Sequence, residues 1–169
     1  LIASVLCNDP VMYIDDRWLY DQEDELPPIV ELDLTIQRPV ISLMGSDITI
    51  VASGHASLLA REAADKLENE DISVEVIDVR ILNPFHAEEI VESVKKTKNL
   101  LVVDSGWTSG GFSAEIIAKV LEQLPVDCLN NPPIRIALPD APAPTSRFLE
   151  KDYYISSDDI VKKVINLIK

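Results

Sequence analysis

The residues best suited to chemistry stand in two strand-to-helix turns. The first is "SGHAS", Ser53 to Ser57. A helix N-terminus offers unpaired N–H groups and the positive end of a dipole, so Ser53, Gly54 and the helix start can receive an anion. No Lys or Arg stands close by in sequence to strengthen that attraction, and His55, which can act as a base, has no nucleophile paired with it. The second turn is "SGWTSGGFSAE", Ser105 to Glu115. A dinucleotide fingerprint needs G-x-G-x-x-G here and a phosphate loop needs a Lys; this turn reads G-x-x-x-G-G and has no Lys. Gly110 and Gly111 are therefore read as structural, allowing positive φ at the helix entrance and close approach of helix to sheet. An anion site remains the competing reading. His86, after "NPF", stands where a helix N-cap belongs and is read as a cap or a surface residue.

A third stretch, "LPDAPAPTSRFLEKDYY", is punctuated by Pro139, Pro142 and Pro144 and is expected to be neither regular helix nor central strand. It reads as an ordered connection or as an interface. In the interface reading Pro142 and Pro144 limit the entropy lost on burial, while Arg147 and Phe148 supply residue types that anchor contacts. In the other, Phe148 and Leu149 seat the terminal helix on the domain's own core. No Ser-His-Asp set, metal-ligand cluster or acid/base pair of carboxylates is visible. Cys7 and Cys128, the two cysteines, are far apart and read as reduced thiols of a cytosolic-type compartment.

The elements that must position these turns follow from periodicity. "LIASVLCNDP" has helical apolar spacing and stops at Pro10, and "VMYID" reads as a short buried strand. The acidic stretch from Asp15 to Asp33, with Pro27 and Pro28, reads as a linker. "PVISLM" and "ITIVAS", separated by "GSD", predict a hairpin. "HASLLAREAADKLENE" predicts a helix with Leu58, Leu59, Ala63 and Leu67 on one stripe. "SVEVIDV", "NLLVVD" and "PIRIAL" predict strands, the second a central one buried on both faces. "HAEEIVESVKKT", "SAEIIAKVLEQL" and "SSDDIVKKVINLIK" predict helices, the last capped by Ser156 or Ser157. This alternation implies an α/β fold: three layers, doubly wound, with a mostly parallel five-stranded sheet and one antiparallel strand. Residues 1–38 read as the tail of a preceding domain plus an acidic linker, and residues 39–169 as one domain.

At 169 residues and 47% hydrophobic content the chain can bury about 70% of its unfolded surface, so it needs no covalent staples. A net charge of −14 excludes nucleic acid and anionic membrane surfaces as partners, since both would repel it. The acidic stretch reads as a solvated loop or as a docking surface for a basic partner. No apolar run approaches a membrane span, no signal peptide is visible, and the start at Leu1 reads as a piece of a longer protein.

"GSDITIVASG", "ISVEVIDVRILNPF", "KKTKNLLVVDSGWTSGGFSAEI", "IRIALPDAPAP" and "DDIVKKV" resemble in order and spacing the C-terminal domain of the transketolase superfamily. The likeness is closest to the beta subunit of the thiamine-dependent decarboxylating component of 2-oxo-acid dehydrogenase complexes, of pyruvate, branched-chain and acetoin types. It covers Gly45 to Lys169, and "LIASVLCNDPVMYID" resembles the end of that family's pyrimidine-binding domain. Where relatives have Glu before the glycine loop, this chain has Asp104; where they often have Asp after "NPF", it has His86.

The resemblance implies an oxidoreductase that decarboxylates a 2-oxo acid, with thiamine diphosphate and magnesium as cofactors. The family's catalytic residues lie in the pyrimidine-binding domain, so none is carried onto this chain and the cofactor is not expected to bind it. The resemblance further implies a monovalent cation, potassium, held by backbone carbonyls at Val5, Leu6, Asn8 and Asp9. Implied partners are an alpha subunit, a second beta subunit in a two-fold homodimer contact, and the acyltransferase. The implied compartment is the cytoplasm, or the mitochondrial matrix in a eukaryote. The domain's part would be assembly and docking. Alternatives are a domain of a transketolase-like or deoxyxylulose-phosphate-synthase-like sugar-phosphate enzyme, or a free-standing interaction module.

Overall fold

The computed structural model describes residues 1–169 except Asp24, Leu26, Pro27 and Glu31. The Pro27 part of the expected linker thus lies outside the described residues. The elements run α1 (Ile2–Leu6), β1 (Val40–Leu43), β2 (Ile48–Ala52), α2 (His55–Glu68), β3 (Val74–Asp78), α3 (Glu88–Thr97), β4 (Leu100–Trp107), α4 (Phe112–Leu121), β5 (Ile134–Leu138), α5 (Arg147–Tyr153) and α6 (Ser157–Ile168). Short 3-10 turns occupy Arg17–Leu19 and Leu34–Ile36.

The five strands form one sheet in the order β1-β3-β2-β4-β5. β2, β3, β4 and β5 are parallel, and β1 joins β3 antiparallel. Successive side chains of a strand point to opposite faces, and this sorts the core. Ile48, Ile50, Val74, Val76, Leu101 and Val103 pack under α2 and α6 with Ala60, Ala63, Leu67, Ile160 and Val164. Val51, Ile77, Leu100 and Val102 face α3 and α4 with Ile90, Val94, Ile116 and Val120. The result is the expected three-layer sandwich with one antiparallel strand.

Several expectations are corrected in detail. β1 and β2 are not a hairpin. Both edges of β2 are taken, by β3 and β4, so β1 can add only to the outer edge of β3. The intervening "GSD" crosses the start of β3, where a Cβ at Gly45 would lie 2.1 Å from the Val74 carbonyl carbon. "VMYID" is exposed and joins no strand of the sheet, so the expected buried strand does not form. The buried stripe of α2 is made of Ala56, Ala60, Ala63, Ala64 and Leu67, with Leu58 and Leu59 at its margin. Small side chains bring that helix close to the sheet. The proline-rich stretch does turn helical, from Arg147, because its last proline is Pro144.

The caps explain where the helices begin. Ser156 caps α6 through a reciprocal box: its hydroxyl accepts from the Asp159 N–H, and Asp159 accepts from the Ser156 N–H at 3.0 Å. α3 begins after Ala87, not His86; the His86 ring instead hydrogen-bonds the Thr35 carbonyl, with Nε2 at 2.8 Å. That contact holds the second 3-10 turn against the domain, as does the Arg38–Glu88 ion pair at 2.6 Å.

The sheet face toward α3 carries a buried polar layer. Thr49 pairs with the hydroxyls of Ser93 at 2.6 Å and Thr97 at 2.7 Å. Glu75, 1% exposed, takes the Lys96 ammonium and the Gly45 N–H on Oε2. Burial opposes its ionisation, but Lys96, the Ser93 hydroxyl and the Gly45 N–H outweigh it and hold the carboxyl below its ordinary 4.5.

Candidate functional site at the carboxyl edge of the sheet

α2 carries the chain from β2 to β3 on one face; α3 then returns it across β2 to β4 on the other face. The reversal lies between β2 and β4, and in doubly wound sheets ligands enter the crevice at the carboxyl ends of the strands flanking such a point. "SGHAS" and "SGWTSGGFSAE" meet there, with the loop after β5 beside the second.

At the first turn Gly54 has φ +57°, a left-handed conformation that glycine adopts without strain. The α2 N-terminus is already filled. Asp16, from the linker, places Oδ2 at 2.9 Å from the His55 N–H. A Cβ at Gly54 would stand 3.0 Å from that same oxygen, so the glycine also makes room for it. The His55 ring lies under Trp18, with centroids 5.5 Å apart and planes 24° apart, and Trp18 meets the edge of Tyr154. Ser57, at the start of α2, donates to Asp78 at 2.6 Å.

At the second turn Asp104, within β4 three residues before its end, receives the Gly106 N–H on Oδ1 at 2.8 Å and the Ser113 N–H on Oδ2 at 2.7 Å. Its carboxylate thus caps α4 from the strand and stands where a phosphate would. Gly110 has φ +72° and open space where a Cβ would be. Gly111 has ordinary φ, but a Cβ there would lie 2.2 Å from the Trp107 carbonyl oxygen and 2.9 Å from Asp104 Oδ2. One glycine serves the turn and the other serves close approach.

The β5 loop repeats the pattern. Asp140 accepts from the Ser109 N–H at 2.8 Å and its hydroxyl at 2.6 Å. The Ser109 hydroxyl and N–H, with the Arg135 charge nearby, hold the Asp140 carboxyl below its usual value. At the two strand-to-helix turns of this edge, then, aspartates of the chain itself, Asp16 at the first and Asp104 with Asp140 at the second, accept from N–H groups that would otherwise receive an anion.

The remaining sequence candidates lie elsewhere. Leu6, Asn8 and Asp9 line an open groove of ≈ 390 Å³ with Ala3, Cys7 and residues 32–35, while Val5 is exposed on α1. Among the described residues no group of three or more His, Cys, Asp or Glu is placed to hold a metal ion. Arg147 and Phe148 stand on α5, after Pro142 and Pro144. Phe148 is 85% exposed, so it does not seat α6 on the core of this chain. Trp107 joins this surface: its Nε1–H donates to the Tyr153 hydroxyl, which donates to the Ala141 carbonyl. Asp16 escapes a sequence reading because its partner is 39 residues away. Glu75 escapes it because a Glu between valines looks like the solvent side of a strand.

The family model for the transketolase C-terminal domain matches residues 39–160. Among curated relatives, the pyruvate dehydrogenase E1 component subunit beta of Rhizobium meliloti is 35% identical over 89% of this chain and 33% of its own length. The mitochondrial subunit beta of Dictyostelium discoideum is 36% identical over 95% and 46%. That of Homo sapiens is 31% identical over 98% and 48%. The chain thus spans about half or less of the length of these relatives. Among solved structures, a split-gene transketolase, an inactive beta4 tetramer, superposes with TM-score 0.69 at 26% identity, covering 87% of this chain and 48% of the other. By this family match, the chain belongs to the transketolase C-terminal domain family.

Proposed function

We propose that this chain forms the C-terminal domain of the beta subunit of a thiamine-diphosphate-dependent 2-oxo-acid dehydrogenase. The whole enzyme would oxidatively decarboxylate pyruvate or a branched-chain 2-oxo acid. This domain contributes assembly and docking rather than chemistry. The observation that carries the second part is the filling of two anion-receptive turns, the first by Asp16 and the second by Asp104 and Asp140. A pyrophosphate brought to these turns would meet carboxylates where it needs N–H donors, so thiamine diphosphate does not fit the residues present, and among the described residues no group of three or more His, Cys, Asp or Glu is placed to hold its magnesium. They belong to other parts of the enzyme.

The alpha subunit, a second beta subunit and the acyltransferase are the proposed partners. Arg147, Phe148, Pro142 and Pro144 offer a surface for the two-fold contact. The net charge of −14 suits a basic partner, mainly by raising association rate. The Val5–Asp9 loop is the proposed potassium position. Bacterial and mitochondrial proteins both occur among the relatives, so bacterial cytoplasm or mitochondrial matrix is the proposed compartment. Among the described residues no helix is long and apolar enough to cross a membrane. The sugar-phosphate reading draws on the transketolase neighbour, but the aspartate-filled loops count against phosphate recognition here.

Two titrations test the proposal. Calorimetry of the chain with thiamine diphosphate and magnesium should show no binding, and micromolar affinity would sink the non-catalytic reading. Titration with the acyltransferase component should show binding that weakens with salt, and its absence at low salt would remove the docking role.

A further inference from the structure

Residues Asp15 to Tyr20 lie before the family match, yet they pack on the α2 N-terminus, which follows β2 beside the reversal point. This short segment is closed on itself. The Leu19 N–H donates to the Asp16 carbonyl at 3.0 Å, the Tyr20 N–H to the Arg17 carbonyl at 3.2 Å, and the Tyr20 hydroxyl to the Asp15 carboxylate. Asp16 Oδ1 also accepts from the Trp18 N–H at 3.1 Å, which fixes the indole relative to the carboxylate. Among the described residues its long-range hydrogen bonds and ring contacts are few: Asp16 to the His55 N–H, and Trp18 against the His55 and Tyr154 rings. Trp18 remains 60% exposed, and no residue of the segment is buried.

We infer that Asp15–Tyr20 is a detachable strap: Asp16 is the built-in anion of the α2 N-terminus, and Trp18 shields His55 at the crevice between β2 and β4. The strap opens as a unit because its internal bonds survive detachment while, among the described residues, it is attached by one hydrogen bond and two ring contacts. Local openings of this kind need far less free energy than global unfolding. Opening bares the His55 N–H at the α2 N-terminus and one face of the His55 ring, so the strap governs access to the β2 side of the crevice. This does not depend on the proposed function, since it concerns only contacts within the chain.

The test uses a Trp107→Phe background, in which Trp18 is the only tryptophan. Asp16→Ala should raise acrylamide quenching of Trp18 about twofold and hydrogen exchange at the His55 amide about tenfold, with Val51 and Ile77 amides as slow as before. Unchanged quenching and His55 exchange would overturn the proposal. So would loss of protection throughout β2 and β3, which would make the contact part of the fold. A second variant, Trp18→Ala, should speed modification of the His55 imidazole by diethyl pyrocarbonate several-fold, with His86 as internal reference. An unchanged His55 rate would equally overturn it.

Discussion

Up to Arg38 no described residue is buried, whereas within the sheet Ile48, Ile50, Val51, Val76 and Ile77 are all at 0% exposure. The two regions do not differ in apolar content so much as in layers. Leu1, Val5, Met12 and Ile14 are as apolar as the sheet residues, yet stand 74%, 76%, 86% and 69% exposed because no second layer covers them. What holds the first region is polar and local: Asp16 on His55, Asp33 on Thr35, the His86 ring on the Thr35 carbonyl, and Arg38 on Glu88. The sheet region instead buries apolar surface on both faces of its strands, which is the larger stabilising term.

The comparison is broken most severely by removing a charge from the covered region. Lys96→Ala would leave Glu75 buried without its ammonium, at a cost of about 2–3 kcal/mol in chemical denaturation, less than for a fully buried pair because Lys96 is half exposed. The wild-type pair should also show itself in pH. Because the folded pKa of Glu75 lies below its ordinary 4.5, the pair's contribution is complete above that value. It is lost as pH falls through the depressed one. In Lys96→Ala burial acts unopposed by Lys96, so the acid limb of the stability curve should lose this component. An unchanged acid limb would mean that Glu75 is not held by Lys96.

Gly111→Val comes next, at about 1–3 kcal/mol, because its Cβ would press on the Trp107 carbonyl and on Asp104. A melt unchanged within error would refute the close-approach reading. Smaller in stability, though not in assembly, is Arg147→Glu with Phe148→Ala. Both positions are exposed on α5, so the melt should move by less than about 0.5 kcal/mol. Sedimentation should show any dimer of the chain shifted toward monomer; a lowered melt at constant stoichiometry would refute the interface role. The smallest effect should be deletion of residues 1–14. They are exposed or only half-buried, so the melting temperature should hold to within about 1–2 °C, and a large fall would show that the first region is integral to the core.

The regular elements were legible because the sheet region repeats simple periods. The continuous apolar run of β4 and the Ser156 cap of α6 each leave a local signature. Pairing was less legible: "GSD" looks like a turn, and only competition for the edges of β2 shows that it is a crossing. In "SGWTSGGFSAE" the absence of a phosphate fingerprint could be read from spacing, but not what fills the loop. Asp104 lies only 9 residues from Ser113, yet a carboxylate within a strand carries no mark of which N–H it will accept. Asp16 and Glu75 were hidden for the same reason, since their roles exist only between elements.

The antiparallel placement of β1 has a consequence for how the molecule meets its neighbours. Without β1, Val74, Val76 and Ile77 of β3 would present an unpaired backbone edge on an apolar strand, a template on which other chains could add. β1 ends sheet growth instead: it is four residues long, follows Pro39, and shows a single irregularity in register. A proteolytic nick between Leu43 and Asp47 would leave the apolar layers in place but loosen that stopper. Such a nicked chain should aggregate by edge pairing well below the temperature at which its core melts.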